Sequence, residues 1–509
     1  MLARIKSSTI LGIHSYPVDV EVDITKGLPA FDLVGFAHST VKESKERVRA
    51  AIKNSGFEFP IKRITVNLAP ADIRKEAPLF DLPIALGILA ATGQVDIREL
   101  EGFVIVGELA LDGRIRPVKG VLPIAMETLE KGLKKLLVPL ENAREAVLIK
   151  KIDVLAAGSL REVTSYLNNN KNSLKVKPGE QPRDQESWLD PVGDFAEVKG
   201  QDNAKRALEI AAAGGHNLLM VGPPGSGKTM LAQRVPSILP EMNSQEKLEV
   251  TKIYSISGFL KKDSLIINRP FRRPHHNITN SALLGGGKFP KPGEVSLAHH
   301  GVLYLDELAE FRKEALELLR QPMEEGSVTI SRLNGSYTFP TQIMLITSLN
   351  PCPCGFFGDQ FKECLCSFTE IKRYQKKLSG PLMDRMDLHL QVSRVTYDEM
   401  SGQKEGEGSH LIRKRVTGAR KLQYSRFGGL GIYHNSQMKP KQIKKYCSLD
   451  NTGQNMLKKA FTAFKLSGRS YHRILKVART IADLEGSRDI RENHIAEALH
   501  YRTMNNFNH

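Results

Sequence analysis

The stretch VGPPGSGKTM, residues 221–230, carries the spacing G-x-x-x-x-G-K-T through Gly222, Gly227, Lys228 and Thr229. Gly222, Gly225 and Gly227, with Pro223, Pro224 and Ser226 between them, let successive backbone N–H groups turn inward around phosphate oxygens. NLLMV before the loop reads as a strand and MLAQRV after it as a helix, whose positive N-terminal end faces the same anion. Lys228 is then placed to reach the β- and γ-phosphates of a nucleotide, and Thr229 to ligate magnesium. A chance glycine-rich turn would not bring strand, loop, lysine, hydroxyl and helix together in that order. Further on, GVLYLDEL (301–308) reads as a buried parallel strand ending in two acids. Asp306 is the expected magnesium partner and Glu307 the group that orients an attacking water, with helix capping as the plainer alternative. Together the two motifs predict hydrolysis of ATP.

Other polar residues fall at the ends of apolar runs. Asn350 closes QIMLITSLN (342–350), where a polar sensor of the γ-phosphate belongs. Arg385 lies in SGPLMDRMDLHLQV (379–392), in an exposed-looking turn before a strand, from which it can reach a neighbouring subunit's γ-phosphate. Cys352, Cys354, Cys364 and Cys366 form two C-x-C pairs, which suit a tetrahedral zinc site stapling a glycine-rich loop; plain reduced thiols are the alternative. His275 and His276, like His299 and His300, are adjacent in sequence and lack the i, i+4 spacing of a helical metal site, which favours loop hydrogen bonding over metal.

These residues need a scaffold, and 509 residues allow about three domains. With 41% hydrophobic and 25% charged residues the chain is globular. Its net charge of +17 suits a polyanionic partner such as nucleic acid. No apolar run reaches the ~18 residues of a membrane helix, and the N-terminus lacks a signal peptide's apolar stretch, so the expected location is the cytosol, with no membrane partner.

Alternating VDVEVDI (18–24) and ITVNLAP (64–70) predict strands, and residues 38–56 a helix, within a first unit ending near 167. Residues 168–190 are polar and aperiodic and read as a linker. The window 261–291 holds seven Lys/Arg against Asp263 and reads as a phosphate-contacting loop or an ordinary solvated face. GGGKFPKPGE (285–294) predicts a protruding hairpin tipped by Lys288 and Lys291. A second hairpin, 327–340, is expected to turn at Asn334-Gly335 beside Arg332, after a helix at 311–326. From 396 onward the chain reads as helices.

Residues 75–86 and 107–139 resemble the Lon proteolytic domain, but Leu79 stands where Lon carries its serine and Ile124 where it carries the partner lysine. Without nucleophile and base the domain is read as a non-catalytic platform. RRPHHNITNSALLGGG, SLAHHGVLYLDELAEF, NPCPCG, SGPLMDRMDLH and SYHRILKVARTIADLEG resemble the ComM/YifB family of magnesium-chelatase-like AAA+ proteins. The fold this implies is α/β: a Lon-like α+β domain at 1–167, the linker, an AAA+ P-loop α/β core at 191–395 with a helix-2-type insert and the four-cysteine loop, and a helical lid at 396–509. Residues 194–222 resemble the segment that seats adenine, and Arg469 and Arg473 are the lid's candidate phosphate sensors. The resemblance implies a hexameric motor driven by ATP and Mg2+ that acts on branched or forked DNA in branch migration. Lys288, Lys291 and Arg332 would then contact DNA phosphates from hairpins in a central pore. A chelatase-type or MoxR-type remodelling ATPase stays open, as does an ATP-dependent protease, which Leu79 and Ile124 argue against.

Overall fold

The computed structural model describes residues 2–35, 39–73, 75, 78–168, 174, 176, 193–260, 265–287, 290–332, 335–401, 406–464 and 466–503. The chain divides into two compact units, one made of 1–186, 247–266 and 331–338, the other of 187–246, 267–330 and 339–509.

The first unit is built on a seven-stranded mixed sheet. His14–Thr25 lies antiparallel to both Leu2–Leu11 and Arg63–Ala69, with Val20 opposite Leu68 and Val22 opposite Val66. Period-2 alternation turns Val18, Val20, Val22 and Ile24 into the core and the intervening acids outward. The other half of the sheet is parallel, running from Leu2–Leu11 through Phe103–Ile105 and Lys135–Pro139 to Asp153–Ala157. Helix Asp81–Ala91 is buried along its whole length, as its apolar run from Leu82 onward requires, and its first residue, the buried Asp81, is paired with Arg47 at 2.8 Å. It lies so close to the sheet that a Cβ at Gly87 would stand 2.6 Å from Val22 Cγ2. Leu79 and Ile124, at the positions of the Lon serine and lysine, are both buried in this core. The helix expected at 38–56 runs Ser39–Asn54.

Part of the expected linker is structured. Ala156 N–H donates to Leu174 O at 3.0 Å and Val176 N–H to Val154 O at 3.1 Å, so 174 and 176 run along the edge strand. Leu174 is buried there and Val176 packs on the same core, so the alternation Leu174-Lys175-Val176 was the available signal. The remaining linker residues, 169–173, 175 and 177–190, lie outside the described set.

The second unit holds an all-parallel sheet in the order Phe271–Arg272, Val302–Leu305, Met344–Leu349, Leu218–Val221, Leu388–Gln391. Both faces are covered, which is why its strands read as unbroken apolar runs. Leu218, Met220, Val302, Tyr304, Met344 and Ile346 face one core, with Ile412, Val416, Ile474 and Val477 from the C-terminal helices packed into it. Leu219, Val221, Leu303, Leu305, Leu345 and Leu349 face the other, closed by Leu283, Val295, Leu308 and Leu316. Sheet and C-terminal helices thus share one core within this unit.

Two expectations change. The helix expected at 311–326 is two helices, Lys313–Leu318 and Arg320–Glu325, because Pro322 has no N–H to continue the ladder. The hairpin Ser327–Arg332/Gly335–Pro340 exists, but its turn residues 333 and 334 lie outside the described set. It is not free-standing: Tyr337 is buried, and a Cβ at Gly12 would meet its ring at 3.6 Å.

Ile346 lies between Leu218 and Tyr304 in register, fully buried. Ile346→Ala should destabilise the second unit by about 2–5 kcal/mol. Differential scanning calorimetry should show its transition lowered while that of the first unit stays in place.

Candidate functional site

The phosphate loop begins where strand Leu218–Val221 ends. Gly222 N–H donates to Leu349 O at 3.1 Å, and a Cβ at Gly222 would stand 2.1 Å from Val392 O, so no larger residue fits between these strands. Gly225 and Gly227 take φ of 79° and 86°, in the left-handed region that favours glycine. Helix Lys228–Ile238 starts directly after Gly227 and aims its free N–H groups into the loop. Lys228 Nζ donates to Gly222 O at 2.7 Å and Pro223 O at 2.8 Å, and lies 3.5 Å from Asn350 Oδ1. Burial lowers the Lys228 ammonium to about 8, against the opposing pull of Asp306 and Glu307. A pocket of about 770 Å³ opens beside the loop, lined by Val198, Lys199, Gln201, Met230, Leu231 and Arg394 among others. Part of the segment expected to seat adenine is therefore at the loop.

Asp306 closes the next strand but one. Its Oδ2 accepts from Thr229 Oγ1 at 3.1 Å and from the Arg273 guanidinium at 2.6 Å, and its Oδ1 accepts from Tyr304 OH at 2.8 Å and from Ser348 Oγ. Burial opposes ionisation here, but hydrogen bonds from Ser348, Tyr304 and Thr229 and the charge of Arg273 outweigh it, holding the carboxyl below its usual range. Thr229 and Asp306, a hydroxyl and a carboxylate within hydrogen-bonding distance, are the donor set that would hold magnesium, which neutralises phosphate charge when bound. Glu307 is exposed and takes φ 53°, a left-handed conformation costing about 1–3 kcal/mol. Its N–H donates to Ser348 Oγ at 3.1 Å, and this bond fixes the turn that presents the carboxylate.

Arg273, Tyr304 and Ser348 were not singled out in the sequence. Tyr304, a hydroxyl inside an otherwise apolar strand, was the available signal. The three arginines of the basic window are committed within the second unit: Arg269 pairs with Glu246, Arg272 with Glu294 and Arg273 with Asp306. All three acids lie outside the window, so the fold pairs the three arginines of the charge excess that suggested a phosphate-contacting loop, and Lys291 stays exposed. Lys291 is exposed on a two-residue strand paired with Gly285–Gly286, and Arg332 is exposed on its hairpin; Lys288 lies outside the described residues.

Arg385 departs from the exposed turn expected of it. It is 7% exposed, donates to Pro381 O at 2.6 Å and pairs with Glu324. The turn-forming sequence hid the fact that a carboxylate from Arg320–Glu325 comes back over it. Arg473 pairs with Asp387 and donates to Arg385 O at 2.8 Å, while Arg469 is exposed on the first turn of helix Gly468–Leu484. The paired histidines make loop hydrogen bonds: His299 Nδ1 accepts from Gln342 N–H at 3.0 Å and His275 Nδ1 from Asn277 N–H at 3.3 Å.

The four cysteines converge. Their sulfurs lie within 4.8 Å of one another, with Cys352 to Cys354 at 3.3 Å, Cys354 to Cys364 at 3.6 Å and Cys352 to Cys364 at 3.7 Å. Zinc–sulfur bonds of ~2.3 Å in a tetrahedron put sulfurs about 3.8 Å apart, so the donor set fits one such ion.

The five-stranded order, the phosphate loop and the acid pair define a P-loop ATPase of the AAA+ class, which works with ATP and magnesium. Family profiles described as magnesium chelatase, subunit ChlI, as subunit ChlI of Mg-chelatase, and as the ChlI C-terminal region match residues 194–400, 20–142 and 406–502. The chain is 43% identical over 508 residues to competence protein ComM of Haemophilus influenzae, covering 99% of this chain and 98% of that protein. It is 40% identical over 509 residues to the protein YifB of Escherichia coli, covering 99% and 97%. Similarity to the magnesium-chelatase 38 kDa subunit of Rhodobacter capsulatus is 24% over 178 residues, covering 32% of this chain and 51% of that subunit. The chain belongs to the ComM/YifB family of magnesium-chelatase-like proteins.

Two outcomes follow from this geometry. Glu307→Gln should lower turnover by roughly 10²–10⁴ while nucleotide binding survives, as measured by steady-state hydrolysis beside equilibrium binding. Lys228 without nucleotide loses its proton near pH 8, and phosphate favours the charged form. Nucleotide binding should therefore take up a proton, negligibly at pH 6 and increasingly from pH 7 to 9. Calorimetry in buffers of different ionisation heat should detect this uptake in the parent chain and not in Lys228→Met.

Proposed function

We propose that this chain assembles into a hexameric ring that uses ATP hydrolysis to drive branch migration on forked or branched DNA. Its setting would be homologous recombination or the integration of transforming DNA, in the cytoplasm. The observation that carries this reading is the near full-length similarity to a protein named for competence. The net charge of +17 and the exposed Lys291 and Arg332 support it. Lys288, Lys291 and Arg332 would grip phosphates from hairpins facing the central channel, without an Asn/Gln and Arg array for reading base edges.

In this reading Lys228 binds the nucleotide phosphates, Glu307 orients water, and Asn350 senses the γ-phosphate. Arg385 exchanges its ion pair with Glu324 for a neighbour's γ-phosphate as the ring closes. Arg469, exposed on the first turn of its helix, reports the nucleotide to the lid, residues 396–509, whereas Arg473 is held by Asp387 at the other end of the sheet; residues 1–167 serve as a non-catalytic platform. Zinc is the metal held by Cys352, Cys354, Cys364 and Cys366. The similarity to a magnesium-chelatase subunit spans a third of the chain and speaks for a shared ATPase core. A remodelling ATPase of that type would not respond to DNA.

Forked DNA should raise the hydrolysis rate, and binding should fall steeply with salt. Lys288→Ala with Lys291→Ala should flatten the slope of log K against log salt by about 0.9 for each DNA phosphate that is no longer neutralised. That variant should also lose stimulation by DNA while keeping basal turnover. An ATPase indifferent to forked DNA would instead favour the remodelling reading.

A further inference from the structure

We propose that the four-cysteine loop is a metal centre that holds the phosphate loop and Asn350 in place, so that nucleotide affinity depends on a metal bound outside the nucleotide pocket. This rests on the assignment of residues 222–229 as the nucleotide site and of zinc to the four thiols.

The loop cannot be held by burial. Between Asn350 and helix Phe368–Gln375 there is no strand or α-helix among the described residues. Phe357, Phe361 and Leu365 are 46%, 62% and 85% exposed, whereas Cys352 is fully buried. A segment that turns Phe357, Phe361 and Leu365 outward while its four thiols, one buried and three half-buried, converge has little hydrophobic reason to fold, and a four-sulfur centre supplies one. Backbone N–H groups already point at the sulfurs: Phe357 N–H lies 3.3 Å from Cys352 Sγ and Cys354 N–H 3.4 Å from Cys366 Sγ. Four thiolates this close repel one another unless a cation lies among them, so the thiols release their protons as a divalent ion binds.

Two contacts tie the loop to the nucleotide site. Gly355, at φ 86°, lies so close to the phosphate loop that a Cβ there would stand 2.6 Å from Pro224 Cδ, and 3.9 Å from Asn350 Cγ. Asp359 lies 3.3 Å from Arg394, which also lines the nucleotide pocket. The covalent path is equally short, because Cys352 follows Asn350 by two residues and Asn350 approaches Lys228. Arg394 and Lys362 both lie over the Phe356 ring, at 5.3 and 4.3 Å, so the side chain that lines the nucleotide pocket also packs on a residue of this loop.

The test uses the full chain and no DNA, so it is independent of the DNA reading. Purified protein should contain one zinc per chain by elemental analysis. Release of that zinc with a mercurial, followed by thiol recovery, should weaken binding of a fluorescent ATP analogue by about tenfold or more. Added zinc should restore it. Gly355→Ala should keep its zinc and still bind the analogue more weakly, because the new methyl displaces Pro224. Protein without metal would overturn both the zinc assignment and this proposal. Retained metal, with affinity unchanged after its removal and in Gly355→Ala, would overturn the coupling alone.

Discussion

Four donors converge on the Asp306 carboxylate: Thr229 from the phosphate-loop helix, Tyr304 from Asp306's own strand, Ser348 from the neighbouring strand and Arg273 from the edge. Each belongs to a different segment, so the charge of one carboxylate sets the relative position of four elements. Burial makes that charge costly, and the donors keep it ionised. Any shift of the sheet that removed two of them would leave a half-buried acid underpaired. Ser348 serves twice, accepting from Glu307 N–H while donating to Asp306. The strained turn at Glu307 is thereby over-determined, as a backbone held in the left-handed region has to be.

The ATP site was legible because its parts are local in sequence. Gly222 to Thr229 are contiguous, Asp306 and Glu307 end one apolar run and Asn350 ends another, so strand, turn and helix preferences sufficed to place them. What failed to show was everything that depends on partners from elsewhere. Arg272 and Arg273 read as free charge until Glu294 and Asp306 are brought to them by the fold. Arg385 read as exposed because nothing in its turn reveals that Glu324 returns over it. The α/β class followed from the family resemblance and the helical C-terminal region from the sequence pattern, whereas the break at Leu319 depended on a single missing N–H at Pro322. Leu174 and Val176 escaped notice because a single i, i+2 pair is too short to show a period within a polar stretch.

The first unit follows a different logic. Its sheet alternates in and out across the antiparallel half and becomes parallel beyond Leu2–Leu11, and helix Asp81–Ala91 closes over it without a polar face. Leu79 and Ile124 belong to that closure. A hydroxyl and an ammonium returned to those two positions would meet an apolar core without partners, at a cost of several kcal/mol. The residues that mark the difference from the peptidase are thus also residues that hold the unit together.

Arg473 connects parts of the second unit that no strand joins. It pairs with Asp387 and donates to Arg385 O, and Asp387 in turn accepts from Asn217 N–H at 3.0 Å, at the foot of the phosphate-loop strand. Asn217 Oδ1 accepts from Leu345 N–H at 2.9 Å, which brings in the strand that ends at Asn350. The far end of the sheet from the nucleotide therefore ties three strand origins together, and helix Gly468–Leu484 is fastened there by Arg473 and by Thr480, which lies 2.8 Å from His216 Nε2. A load on that helix would reach the backbone of Arg385 through a single hydrogen bond, whereas the phosphate loop lies a full strand length away.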